Sequence, residues 1–152
     1  MKNLLLTLTQ LFLLTSLSAQ IVGRLELKED IIGICDKHEV YTLFPSIDKN
    51  QVDAICPVSE ETILNRLNNE VKFIKENPKT KCEGMVKIII NCSGKPVLCK
   101  ITNSTGIVEL DDQILEVFKS LGDWKNGYFN GKAVDCVQLF SYKIRKGIFK
   151  IK

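Results

Sequence analysis

The residues of this 152-residue chain best able to do chemistry are its six cysteines, Cys35, Cys56, Cys82, Cys92, Cys99 and Cys136. Successive pairs enclose 20, 25, 9, 6 and 36 residues. Structural zinc sites use closely spaced cysteine knuckles, and thiol–disulfide enzymes place Cys-x-x-Cys at a helix start; neither spacing occurs. The single histidine, His38, has no nucleophile and orienting partner that the sequence points to, and it suits a turn or a surface position. Asp111-Asp112 could serve as paired carboxylates, but they fall in the first turn of an expected helix, where the dipole favours acids. There is no Gly-rich phosphate loop and no Ser-centred elbow. The expectation is a chain with no catalytic residues, no metal and no cofactor.

The N-terminus changes how the cysteines read. MKNLLLTLTQLFLLTSLSAQ has a basic start at Lys2, an apolar run from Leu4 to Leu14, and small residues Ser16, Ser18 and Ala19. That is the layout of a secretory leader cleaved near Ala19. A retained membrane anchor is the rival reading, but the run is interrupted by Thr7, Thr9 and Gln10 and is short for a span. In an exported chain an even cysteine count suggests disulfides, so all six are candidates. Cys35 with Cys56 is one pairing that would close the N-terminal region. The formal charge of +3 is spread among basic residues that look scattered, without the concentrated patch that a nucleic-acid surface needs.

The stretch NCSGKPVLC, Asn91–Cys99, places two cysteines around a Ser93-Gly94 turn. With β-rich segments on either side it reads as a hairpin, Ile90 near Val97, Ile88 near Cys99 and Val86 near Ile101. Cys92 and Cys99 then share a face about 13 Å apart along the strands. A disulfide needs Cα atoms within about 7 Å. They are therefore expected to look to different partners, Cys99 being a core residue or half of a bridge to Cys136 or Cys82.

Stepping outward along the chain, Ile31–Cys35 and Glu39–Phe44 read as short strands around a turn at Asp36-Lys37-His38, and Phe44–Asn50 as loop. Ser59 caps a helix with Glu60 and Glu61 in its first turn, an apolar stripe at Ile63, Leu67, Val71 and Ile74, and an end at Asn77-Pro78. A second helix spans about Glu109 to Leu121, with Leu110, Ile114, Val117, Phe118 and Leu121 inward and Asp111, Asp112, Glu116 and Lys119 outward. Trp124 plugs a core edge. Ala133–Ile144 reads as a long final strand followed by a short tail. The expected class is α+β: a three-stranded antiparallel sheet with two helices on one face, in the order α-β-β-α-β. This domain covers 59–152, after a leader at 1–19 and a small β-rich segment at 20–58.

EGMVKIIINCSGKPVLCKI (Glu83–Ile101), LDDQILEVFKSLGDWKNGYFNGKAVD (Leu110–Asp135) and LFSYKI (Leu139–Ile144) together resemble the TonB carboxy-terminal domain family. They match its opening hairpin, its second helix with a Trp-Lys-x-Gly and Asn-Gly-Lys-x-Val signature, and its closing strand. The resemblance implies that the last strand is a sheet edge, which in energy-transducing members pairs with an extended peptide of an outer-membrane transporter. An edge strand has unpaired N–H and C=O groups, which strand addition uses. Carried over, the docking residues are Val134, Asp135, Cys136, Val137, Gln138, Leu139 and Phe140.

Energy transducers also carry a retained membrane helix and a Pro-rich arm. The four prolines here are isolated, so the expectation is a module that does not transmit force by itself. The resulting reading is a periplasmic or secreted, disulfide-reinforced binding module. Its partner would be an envelope protein or peptide, with an outer-membrane transporter as one candidate. Two copies could also pair through the same edge. A secreted inhibitor or host-interaction protein and a thiol-based redox protein are the alternatives.

Overall fold

The computed structural model describes residues 21–27 and 29–151; the expected leader, residues 1–19, lies outside them. In chain order the elements are β1 (Gly23–Leu25), β2 (Val40–Thr42), β3 (Gln51–Val52), α1 (Glu60–Glu70), α2 (Lys72–Glu76), β4 (Lys81–Ile90), β5 (Pro96–Asn103), α3 (Val108–Lys119), β6 (Gly127–Phe129), β7 (Lys132–Val134), β8 (Cys136–Arg145) and β9 (Ile148–Ile151). The chain is mixed α+β, with more strands and one more helix than its sequence suggests.

The central hairpin forms for the expected reason. Val86, Ile88 and Ile90 alternate into one buried face, and Ile88 pairs with Cys99 and Val86 with Ile101. A bulge between Ile89 and Ile90 shifts the last pair, so Ile90 meets Pro96 rather than Val97. Val97 consequently packs on the opposite face of the sheet. β8 runs antiparallel to β4 along its whole length, from Lys81↔Arg145 to Ile90↔Cys136. Within that ladder Gly84 lies opposite Tyr142. A Cβ on Gly84 would come within 3 Å of the Tyr142 ring and hydroxyl and of the Asn103 carbonyl. The glycine leaves room for an aromatic ring to lie across its strand.

Helix α1 starts as the sequence implies, with the Ser59 hydroxyl accepting from Thr62 N–H at 3.2 Å. The expected single helix is instead broken at Val71, whose backbone is extended (φ −75°, ψ 100°). The break lets both Val71 and Ile74 reach the core. The Phe73 N–H near the start of α2 finds the side-chain oxygen of Gln113 on α3 at 2.9 Å, so the interruption leaves that donor satisfied. On α3 the apolar stripe is buried as expected, but Asp111 is buried too. Its carboxylate accepts from the Ser104 hydroxyl at 2.6 Å and from Thr105 N–H.

The helices cover one face of the sheet, α1 packing on α3 and β9, and α3 on β5. The larger sheet has the order β1-β2-β8-β4-β5, with β9 also on β8, while β3, β6 and β7 form a second sheet. β2 pairs with β8 in parallel, through Tyr41↔Cys136. On the face away from the helices, Val40, Ile89 and Val137 are buried under Leu25, Leu27, Ile31 and Ile34. The N-terminal segment is thus a cover for half of that face.

Two expected strands change. Ile31–Cys35 forms no strand, and β2 takes β1 as its hairpin partner. The expected long last strand is split at Asp135, its first part joining the small sheet and its second the large one. The tail becomes β9, turning at Lys146-Gly147 to pair Arg145 with Ile148. Trp124 is buried, with its ring edge-on to Phe140 at 6.0 Å.

Candidate functional site

The tip of the β4–β5 hairpin is tied by side-chain hydrogen bonds and a disulfide. The Asn91 side-chain oxygen accepts from Ser93 N–H and Lys95 N–H, each at 2.9 Å, and its amide donates to the Gly33 carbonyl at 2.8 Å. Gly94 takes a positive φ of 83°. A Cβ there would sit 2.1 Å from the Trp124 carbonyl oxygen, so only glycine fits the turn. Cys92, beside it, forms a disulfide with Cys35 across 57 residues.

Asp135 holds the same junction from below. It is 1 % exposed. One oxygen accepts from Cys35 N–H at 2.8 Å and Asp36 N–H at 2.7 Å, and the other from Cys92 N–H at 2.9 Å. Side chains take the place of a strand partner at two points of Ile31–Cys35: Asn91 donates to the Gly33 carbonyl and Asp135 accepts from Cys35 N–H. The Cys35 and Cys92 sulfurs and the Asp135 carboxylate lie within 4.8 Å of one another. As a disulfide the sulfurs carry no thiolate charge, and both carboxylate oxygens are engaged by N–H donors. The arrangement locks the junction and offers a metal ion poor ligands.

The anticipated Cys35–Cys56 bridge is replaced by Cys35–Cys92, and Cys56, Cys82, Cys99 and Cys136 are free thiols. Burial pushes Cys99 up from 9.0 to about 11, with Lys119 pulling weakly the other way. Burial likewise pushes Cys136 up to about 11, against N–H donors from Gly127 and Ala54. Cys56 and Cys82 are raised by the same desolvation. All four are therefore protonated and poorly nucleophilic at neutral pH. Cys99 is a core-facing residue, not half of a bridge. His38 is an exposed turn residue whose N–H caps on Asp36.

The docking residues implied by the resemblance do not form one edge. Val134 belongs to β7, where it pairs with Gly127. Asp135 is committed to the disulfide junction. Cys136 is fully buried and flanked on both sides, by Ile90 and by Tyr41. Val137 is buried in the second core. Gln138 donates to the Asp53 carboxylate at 3.2 Å, and the Phe140 ring packs at a tilt against Phe118, centroids 5.2 Å apart. Leu139 is 52 % exposed.

A shorter opening remains. On the side away from β4, strand β8 meets β2 only at Cys136 and β9 only from Tyr142 onward. The bridge of Tyr41 with Cys136 also engages the Val137 N–H, and among the described residues no strand faces 138–141 there. The Asp135 carbonyl points to that side, accepting from Tyr41 N–H at 2.9 Å. Because backbone direction alternates along a strand, Leu139 and Ser141 present their N–H and C=O groups in the same direction. The result is a slot bounded at both ends by the chain's own strands.

The half of the face opposite the helices that no described residue of the N-terminal cover buries carries an unexpected charge pattern. Lys87 and Lys100 are direct cross-strand partners. Lys81 pairs with Arg145, and Lys143 lies between Glu83 and Lys150. Alternation puts all six cations on this face; the four strands add one acid, Glu83, and the N-terminal segment brings Glu26 and Glu29 beside Lys87 and Lys100. Sequence separation hides the patch, because its members come from four strands.

Comparison with known protein families, curated proteins and solved structures gives no match for this chain.

Proposed function

We propose that the chain is an exported, non-enzymatic binding module that takes an extended segment of an envelope protein by strand addition to β8. The single observation that carries this reading is the one-sided pairing of residues 138–141. The proposed docking strand is shorter than the seven residues implied by the resemblance, running from Gln138 to Ser141. Four residues at strand rise span about 13 Å, the length of a short peptide. Leu139, half-exposed, supplies an apolar contact beside the main-chain groups. An outer-membrane transporter is the partner class that the resemblance names. The Cys35–Cys92 disulfide is compatible with an oxidising compartment, and no described helix is long and apolar enough to cross a membrane. The protonated free thiols give no support to a thiol-redox reading.

The test uses the direction of the backbone. Leu139→Pro removes an N–H that faces the slot, whereas Phe140→Pro removes one that faces β4 and breaks the ladder. Leu139→Pro is expected to keep the parent's circular dichroism spectrum and to lose at least tenfold in capture of a partner from envelope extract. Undiminished capture by a folded Leu139→Pro variant would sink strand addition at this site.

A further inference from the structure

The open half of the sheet face, independent of the slot's main-chain groups, points to a second surface. We propose that it docks flat on an anionic lipid bilayer. Six of the chain's 21 lysines and arginines lie on it: Lys81, Lys87, Lys100, Lys143, Arg145 and Lys150. Among the described residues none of the six forms an ion pair. Lys87 and Lys100 stand directly opposite each other, a like-charge pairing that costs stability unless an anion lies between them. Glu26 and Glu29 line the same cleft as these two lysines without pairing with them.

The apolar content of the face decides the class of polyanion. Leu139 and Ile148 project from it at 52 % and 55 % exposure, and Met85 lies between the lysine rows. Single-stranded nucleic acid is held by basic residues interleaved with aromatic platforms, and this face has no Phe, Tyr or Trp. Aliphatic tips among lysines suit a headgroup layer, where the side chains reach the acyl boundary and the cations remain with phosphates. The helices on the opposite side carry Glu60, Glu61, Glu70, Glu109, Asp112 and Glu116 exposed. An anionic surface would therefore attract one side of the molecule and repel the other.

The experiment is vesicle co-sedimentation of the full chain, with phosphatidylcholine vesicles and with vesicles that also contain phosphatidylglycerol. The quantity read is the excess binding to the anionic vesicles, so any affinity of the apolar N-terminus for neutral lipid drops out. The parent should show an excess that falls steeply with salt. Each lysine near the surface is worth about fivefold, so Lys87→Gln, Lys100→Gln and Lys143→Gln together should reduce the excess about 100-fold. Lys119→Gln, on the helix side, should leave it unchanged. The triple variant removes only surface charge, and its thermal melting should match or exceed the parent's. Retention of the parent's excess by a folded triple variant overturns the proposal. Tighter binding of a single-stranded oligonucleotide than of anionic vesicles at the same salt overturns it in favour of nucleic acid.

Discussion

Changing Asp135 to Asn would replace one acceptor oxygen by an NH2 donor, set against N–H groups that already point at it from Cys35 and Asp36 or from Cys92. A hydrogen bond to a charged group contributes about 1.5–3 kcal/mol, and one of three would become a donor–donor clash. Asp135→Asn is therefore expected to lower stability by about 2–4 kcal/mol in urea unfolding, with faster amide exchange at Cys35 and Asp36. This residue was readable only as one of seven docking positions. An acid inside an otherwise apolar run from Ala133 to Val137 was the available signal, and a buried carboxylate implies several donors from elsewhere. Those donors lie up to 100 residues away, beyond the reach of any periodicity. The cysteines were legible as disulfide candidates, but their pairing depends on the same distant junction. Asp111 misled for a different reason: a first-turn acid satisfies the dipole argument whether or not a neighbouring loop folds over it.

Gly84 and Tyr142 carry the corresponding argument for the strands. The Tyr142 hydroxyl is buried with no hydrogen-bond partner, and burial, with Asp111 and Cys82 nearby, holds it protonated far above the ordinary tyrosine range. An unsatisfied buried hydroxyl costs about 1–3 kcal/mol. Tyr142→Phe should accordingly be neutral or stabilising by about 1 kcal/mol in thermal unfolding. Gly84→Ala should destabilise by about 1–3 kcal/mol through overpacking against the ring, and part of that loss should be recovered in the double variant with Tyr142→Phe. Elements with strong local signals were legible: the Ser59 cap, the apolar stripes of α1 and α3, and most of the β4–β5 register. What escaped were departures that need a partner to explain them. The break at Val71 answers to Gln113, and the bulge before Ile90 moves Val97 to the other face.

Across the whole molecule, the disulfide and the β2–β8 pairing join the N-terminal segment to the sheet. The chain-entropy cost of closing a 57-residue loop in the unfolded state corresponds to about 4 kcal/mol at most. Cys35→Ser with Cys92→Ser should lower the unfolding free energy by about 2–4 kcal/mol, measured by urea unfolding. Limited proteolysis should cut first within residues 29–32, which lie outside the strands and the disulfide junction. The mixed α+β class could be read from the order of helix and strand patterns. The parallel contact of β2 with β8 could not, since it is one bridge between segments that share no local pattern. The basic face was hidden likewise: charge alternates within each strand, and only the stacking of four strands assembles it.

The junction at the hairpin tip also sets an order of events in time. Cys35 leaves the ribosome early, but Cys92 arrives 57 residues later and the carboxylate that aligns both arrives later still. During that interval Cys56 is the nearer thiol for Cys35, and shorter loops close more readily. A chain oxidised as it is made can therefore be trapped in the wrong pairing, whereas one oxidised after the hairpin has docked on β8 cannot. Oxidation after the sheet has assembled is therefore expected to give more of the native Cys35–Cys92 bond than oxidation during synthesis.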